Sequence, residues 1–143
     1  MKKQKTAYIF ECDSAWIEAL QQTFEPWKEK VIIADKYVSD VTDSHNISLN
    51  DFFKDKQIDF IKADIEGAEV KMLQGASEIL KRNNLKILAC AYHKPNDAKD
   101  IKVILENYGF TAEYSKGYMI IFSKGFLFPK PNLRKGLIRA AKN

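Results

Sequence analysis

Glycine is missing from almost half of this 143-residue chain: there are six glycines and the first is Gly67. The segment before it therefore holds no turn that depends on positive φ or on the close backbone approach only glycine permits, which excludes a glycine-rich cofactor loop there. Cysteine is equally sparse. Cys12 and Cys90 both fall in apolar runs without paired spacing, so a disulfide framework is excluded and both read as reduced, buried thiols without a chemical role. The longest apolar runs are about six residues against the roughly 20 a membrane span needs, and MKKQKTAYIF lacks a signal-peptide hydrophobic region. A cytoplasmic location is expected. Acids are absent from both ends: all 19 lie between Glu11 and Glu113, leaving a basic start and a tail carrying Lys124, Lys130, Arg134, Lys135, Arg139 and Lys142.

What is present describes one globular domain, with 45% hydrophobic and 29% charged residues. We place it at residues 1–123, followed by a basic tail, 124–143. Strands are expected at Thr6–Phe10, Val31–Ala34, Ile58–Ala63 and Leu85–Tyr92. Helical spacing links Trp16, Ile17, Leu20 and Phe24, then Val70, Leu73, Ala76, Ile79 and Leu80, then Ile101, Ile104, Leu105 and Tyr108. Asp13 or Ser14 can cap the first helix and Ser48 a short one over 49–53. Asp35–Asn46 reads as a polar loop. Phe110–Tyr114 and Tyr118–Phe122 flank Ser115-Lys116-Gly117, which predicts an antiparallel hairpin. Alternating strands and helices closed by that hairpin give an α/β fold: an open, mostly parallel sheet with flanking helices.

In such sheets ligands collect at the carboxyl ends of the strands. Glu11, Asp35, Asp64, Glu66 and His93 stand there. Glu11 ends an apolar strand, where a carboxylate can accept from both hydroxyls of a ribose. Glu66 and Glu69 either serve a site or interact with the N-terminal dipole of the next helix. His93 either moves a proton or satisfies loop carbonyls ahead of Pro95. Spacing alone does not make a metal cage of these acids, so no metal site is expected. Nor is nucleic acid an expected partner.

FIKADIEGAEVKMLQGA resembles the signature strand and helix of the FkbM-type S-adenosylmethionine-dependent methyltransferases. AYIFECDSAWIEAL resembles the family's second strand with its ribose-binding acid, and ACAYHKPNDAKDI its fifth-strand exit. The resemblance runs from about Tyr8 to Phe122. It implies a class I, Rossmann-like methyltransferase fold in which Glu11 binds the ribose, Val38, Ser39 and Asp40 lie beside the adenine, and Asp64 lines the methionine end of the cofactor. Glu66 and His93 then face the acceptor as candidate catalytic residues, and the implied reaction is O-methylation of a sugar or secondary metabolite. The family's glycine-rich loop and its first strand are missing, so the chain reads as a truncated or degenerate member. The absent strand belongs between those ending at Glu11 and Asp64, and its loss leaves edges that a homodimer can cover. The alternative is a non-catalytic domain acting as a partner subunit.

The tail allows one more expectation. Leu133, Leu137, Ile138 and Ala141 recur at helical spacing, predicting an amphipathic helix over Asn132–Lys142 that docks on the domain or a second chain. The basic residues with Phe126 and Phe128 would otherwise suit an anionic surface.

Overall fold

The computed structural model describes residues 5–82, 84–122 and 131–142. Its chain begins with β1 (Ala7–Glu11), α1 (Ser14–Phe24) and β2 (Val31–Asp35), and the two strands pair in parallel. Asp13 starts α1 by accepting the N–H groups of Ala15 and Trp16, satisfying donors the helix cannot. This unit is thinly packed. No residue of β1, α1 or β2 is fully buried, and Trp16 is 64% exposed.

The expected polar loop contains a small parallel pair, β3 (Tyr37–Ser39) with β4 (Asn46–Ser48). Asp43 makes this possible, since one carboxylate oxygen accepts the N–H groups of His45 and Asn46 at 2.8 Å and folds the connection back. Ser48 then caps α2 (Leu49–Phe53) as expected, accepting from Asp51 N at 3.1 Å.

The core lies in the second half. β5 (Phe60–Ala63), β6 (Lys86–Cys90), β7 (Thr111–Tyr114) and β10 (Leu137–Ala141) form a four-stranded sheet in the order β5-β6-β10-β7. β5 and β6 run parallel, and β10 is antiparallel to both neighbours. α3 (Glu69–Gln74), α4 (Ser77–Arg82) and α5 (Asp97–Asn107) supply Leu73, Ile79, Leu80, Ile101 and Leu105, which pack with Ile87 and Ile138 of the sheet and are all at most 2% exposed. Each such side chain stabilises the fold by about 1.5–3 kcal/mol relative to an exposed position. The single helix expected over Val70–Leu80 is split at Gly75, where a Cβ would lie 2.1 Å from the Ser39 carbonyl oxygen. That glycine lets α3 approach the end of β3.

Two expectations about the C-terminal part are corrected. The hairpin between Phe110–Tyr114 and Tyr118–Phe122 does not form: β7 pairs with β10, while β8 (Met119–Phe122) pairs antiparallel with β9 (Pro131–Arg134). The helix over Asn132–Lys142 is likewise replaced by β9 and β10. Ile138 and Ala140 alternate inward at 0% and 5% exposure, a period of two that fits a strand hydrogen-bonded on both sides. Pairing with two edges outweighs the helical spacing. Residues 137–141 thus stand inside the sheet. Lys2, Lys3, Lys124, Lys130, Phe126 and Phe128 lie outside the described residues.

Among the described residues no ladder joins the two halves: β1 and β5 belong to separate sheets. They are tied by edge-on ring contacts of Tyr8 and Phe10 with Phe52 and Phe53, at centroid separations from 4.8 to 6.1 Å, and by an ion pair of Lys5 with Asp59 at 3.2 Å.

Candidate active site at the exits of β5 and β6

The chain leaving β5 turns through Glu66 and Gly67, both at positive φ, 53° and 91°. A Cβ on Gly67 would lie 3.0 Å from Lys94 Cε and 3.3 Å from His93 Cβ, so the loops leaving β5 and β6 touch only because this residue is glycine. Lys94 fastens them by donating to the Gly67 carbonyl. Its own N–H donates to Asp97 at 2.7 Å, at the start of α5.

This contact brings His93 against three carboxylates. Its Nε2 is 3.1 Å from Asp64 Oδ1 and 3.5 Å from Glu69 Oε1, and its Nδ1 is 3.5 Å from Glu66 Oε2. The ring is nearly enclosed at 9% exposure, Glu69 is at 0%, and Glu66 stands in solvent at 91%. Glu69 Oε1 also accepts the Ile65 N–H at 3.0 Å, closing the turn from the inside. Tyr92 donates its hydroxyl to Asp64 Oδ1 at 3.4 Å, and its ring lies 4.2 Å from that of His93. The Cys90 thiol, and after it His93, hold the Asp64 carboxyl below its ordinary range, against the opposing effect of desolvation. Burial, and then the Asp64 carboxylate, push the Cys90 thiol up to about 11.

Sequence reasoning named Asp64, Glu66 and His93, and the fold brings them together. It missed Arg134. From β9, Arg134 Nη1 donates to the carbonyls of Tyr92 at 2.8 Å and His93 at 2.7 Å, clamping the loop that carries the histidine. No local pattern signals this contact, because Arg134 lies 41 residues beyond His93.

The other expected residues close other strands. Glu11 ends β1, with Oε1 accepting the N–H groups of Cys12 and Asp13 at 2.7 and 2.9 Å. Val38 and Ser39 end β3; Ser39 is buried and donates to Asp40 at 3.0 Å. Among the described residues, no hydrogen bond or ion pair joins Glu11 or Val38–Asp40 to the His93 cluster. Two surface depressions of about 400 Å³, lined by residues 25–30 and by Asp55, Gln57, Arg82 and Asn84, lie away from it.

The sheet order, with an antiparallel strand inserted beside the parallel ones and polar residues at the strand exits, defines a Rossmann-like α/β fold of the class I methyltransferase type. Solved structures agree. The chain superposes on a methyltransferase FkbM from Methylobacillus flagellatus KT with a TM-score of 0.69 at 18% identity, covering 95% of this chain and 36% of that one. A SAM-dependent O-methyltransferase from Thermotoga maritima gives 0.59 at 14%, covering 96% and 49%. A precorrin-6y C5,15-methyltransferase from Geobacter metallireducens GS-15 gives 0.57 at 12%, covering 96% and 67%. The chain thus spans about a third of the length of the first of these. The model of the methyltransferase FkbM domain family matches residues 14–112, and the chain belongs to that family. No curated protein matches it.

Proposed function

We propose that the chain serves S-adenosylmethionine-dependent O-methylation of a hydroxyl on a sugar or secondary metabolite, with His93 as the general base. The observation that carries this is the placement of His93 between buried and exposed carboxylates. When Asp64 accepts the Nε2 proton, the lone pair falls on Nδ1, which lies 3.5 Å from the exposed Glu66 carboxylate, on the side where the acceptor hydroxyl would bind. Glu66 helps hold the acceptor there. A positioned base of this kind contributes about 10²–10⁴-fold to rate.

The cofactor's residues fit in part. Glu11 would grip the ribose hydroxyls through the oxygen not committed to its own turn, and Val38, Ser39 and Asp40 would border the adenine, while Asp64 would border the methionine end. The glycine cradle for that end is not encoded before Gly67. When bound, S-adenosylmethionine supplies the methyl group. We therefore propose weak cofactor binding by this chain alone. Free thiols at Cys12 and Cys90 suit a cytoplasmic setting, and no described helix is long and apolar enough to cross a membrane.

Titration calorimetry with S-adenosylmethionine should give a dissociation constant weaker than about 1 μM, a standard binding free energy of about −8 kcal/mol. Glu11→Ala should weaken it further. With any hydroxyl acceptor that is methylated, His93→Ala should lower kcat by roughly two orders of magnitude or more. Full activity in His93→Ala would reject the base assignment.

A further inference from the structure

The hydrogen bonds around His93 leave one charge unaccounted for. Glu69 Oε2 is a buried side-chain oxygen without a hydrogen-bond partner among the described residues, on a side chain with 0% exposure. Its sister oxygen lies 3.5 Å from His93 Nε2, which also stands 3.1 Å from Asp64 Oδ1. A single Nε2 proton cannot satisfy both carboxylates, and a buried carboxylate oxygen left without a donor or cation is costly. A cation among these groups would resolve the imbalance.

The donor set identifies its class. Asp64, Cys90 and His93 each present a ligand atom within 4.8 Å of the others. Around a tetrahedral zinc ion, with bonds of 2.0–2.3 Å, ligand atoms lie about 3.3–3.7 Å apart. The two carboxylate separations from Nε2, 3.1 and 3.5 Å, lie close to that range. A thiolate and an imidazole disfavour magnesium and calcium, which take oxygen shells, and favour zinc-class ions. We propose that Asp64 Oδ1, Cys90 Sγ and His93 Nε2 bind a zinc-class divalent metal, whose positive charge compensates the buried Glu69 carboxylate beside His93. Binding forms three metal–ligand bonds from these side chains, releases the Cys90 thiol proton to solvent and moves the single proton of the neutral imidazole from Nε2 to Nδ1, with no change in oxidation state.

Metal binding does not depend on the methyl-transfer reading. Only one consequence rests on that reading: a metal on Nε2 leaves the ring proton on Nδ1, so an occupied site withdraws His93 as a base.

Cobalt titration of the chelator-treated full chain, without S-adenosylmethionine, tests the site. One equivalent should produce tetrahedral d–d absorption and a thiolate-to-cobalt charge-transfer band, both displaced by zinc. Cys90→Ser should remove the charge-transfer band. His93→Ala and Glu69→Gln should weaken binding by about tenfold or more. Cys12→Ser and His45→Ala should leave both signals intact. Absence of saturable binding by the folded wild-type chain at roughly millimolar cobalt, where affinity is only about −4 kcal/mol, would overturn the proposal. So would a charge-transfer band that persists in Cys90→Ser. Neither result touches the assignment of His93 as a base, which is read from acceptor methylation.

Discussion

Gly67 answers two demands at one position, a φ of +91° and a gap too narrow for a methyl group beside His93 Cβ and Lys94 Cε. An alanine there is strained in backbone and requires His93 Cβ to give by a few tenths of an ångström. Gly67→Ala should lower stability by about 1–2 kcal/mol from the backbone alone, measurable by urea unfolding. Because the same shift moves His93, the base activity proposed for that residue should fall as well, read as loss of any acceptor methylation the wild-type chain supports. Asp43 sets a second residue-scale expectation. The N–H groups of Asn46 and His45 depress its carboxyl from 3.8 to about 2. A depressed folded-state pKa means that its stabilisation is present above pH 3.8 and lost as pH falls towards 2. Asp43→Ala should therefore destabilise the chain at neutral pH, with the difference from wild type closing near pH 2. A constant difference across that range would assign the effect to packing.

At the scale of elements, β10 decides the C-terminal architecture. It supplies the partner for one edge of β6 and one edge of β7, and it seats Ile138 in the core at 0% exposure. Leu133 of β9, by contrast, is 65% exposed. Ile138→Ala should cost about 2–5 kcal/mol, whereas Leu133→Ala should stay within about 0.5 kcal/mol. Thermal unfolding of the two variants separates this arrangement from an amphipathic helix, which would make both leucine-type positions part of one buried stripe. Through Arg134, the same pair of strands also reaches the loop that carries His93. The C-terminal segment is thus joined to the site as well as to the sheet.

At the scale of the whole molecule, packing is uneven. The four-stranded sheet carries the core, while the β1–α1–β2 unit has no fully buried residue and no backbone ladder to β5. Native-state hydrogen exchange should show amides of Ala7–Asp35 exchanging well before those of β6 and β10. Equal protection would mean that the two parts open together. Among the described residues β1 pairs only with β2, and β5 only with β6, and free strand edges of this kind are the basis on which a homodimer is proposed. Sedimentation equilibrium should then report a species of twice 16.5 kDa at micromolar concentration; a monomer throughout would leave those edges to solvent or to a different chain.

Much of this was legible from local pattern because local physics decides it. The strands at 7–11, 31–35 and 86–90 are apolar runs bounded by polar exits; Asp13 and Ser48 are caps whose bonds span two or three residues; and IEGAE places its acids and glycine within one turn. Asp64, Glu66 and His93 could be named for the same reason, each following a readable strand. Tertiary structure alone decided the rest. The segment at 132–142 has both a helical and an alternating reading, and only the open edges of β6 and β7 select the strand. Gly75 breaks a regular helical stripe because the Ser39 carbonyl, distant in sequence, occupies the space a side chain would need. The Arg134 clamp and the buried Glu69 beside His93 arise where β9 and the start of α3 meet the His93 loop, and such hydrogen bonds and charges follow distance in space rather than spacing along the chain.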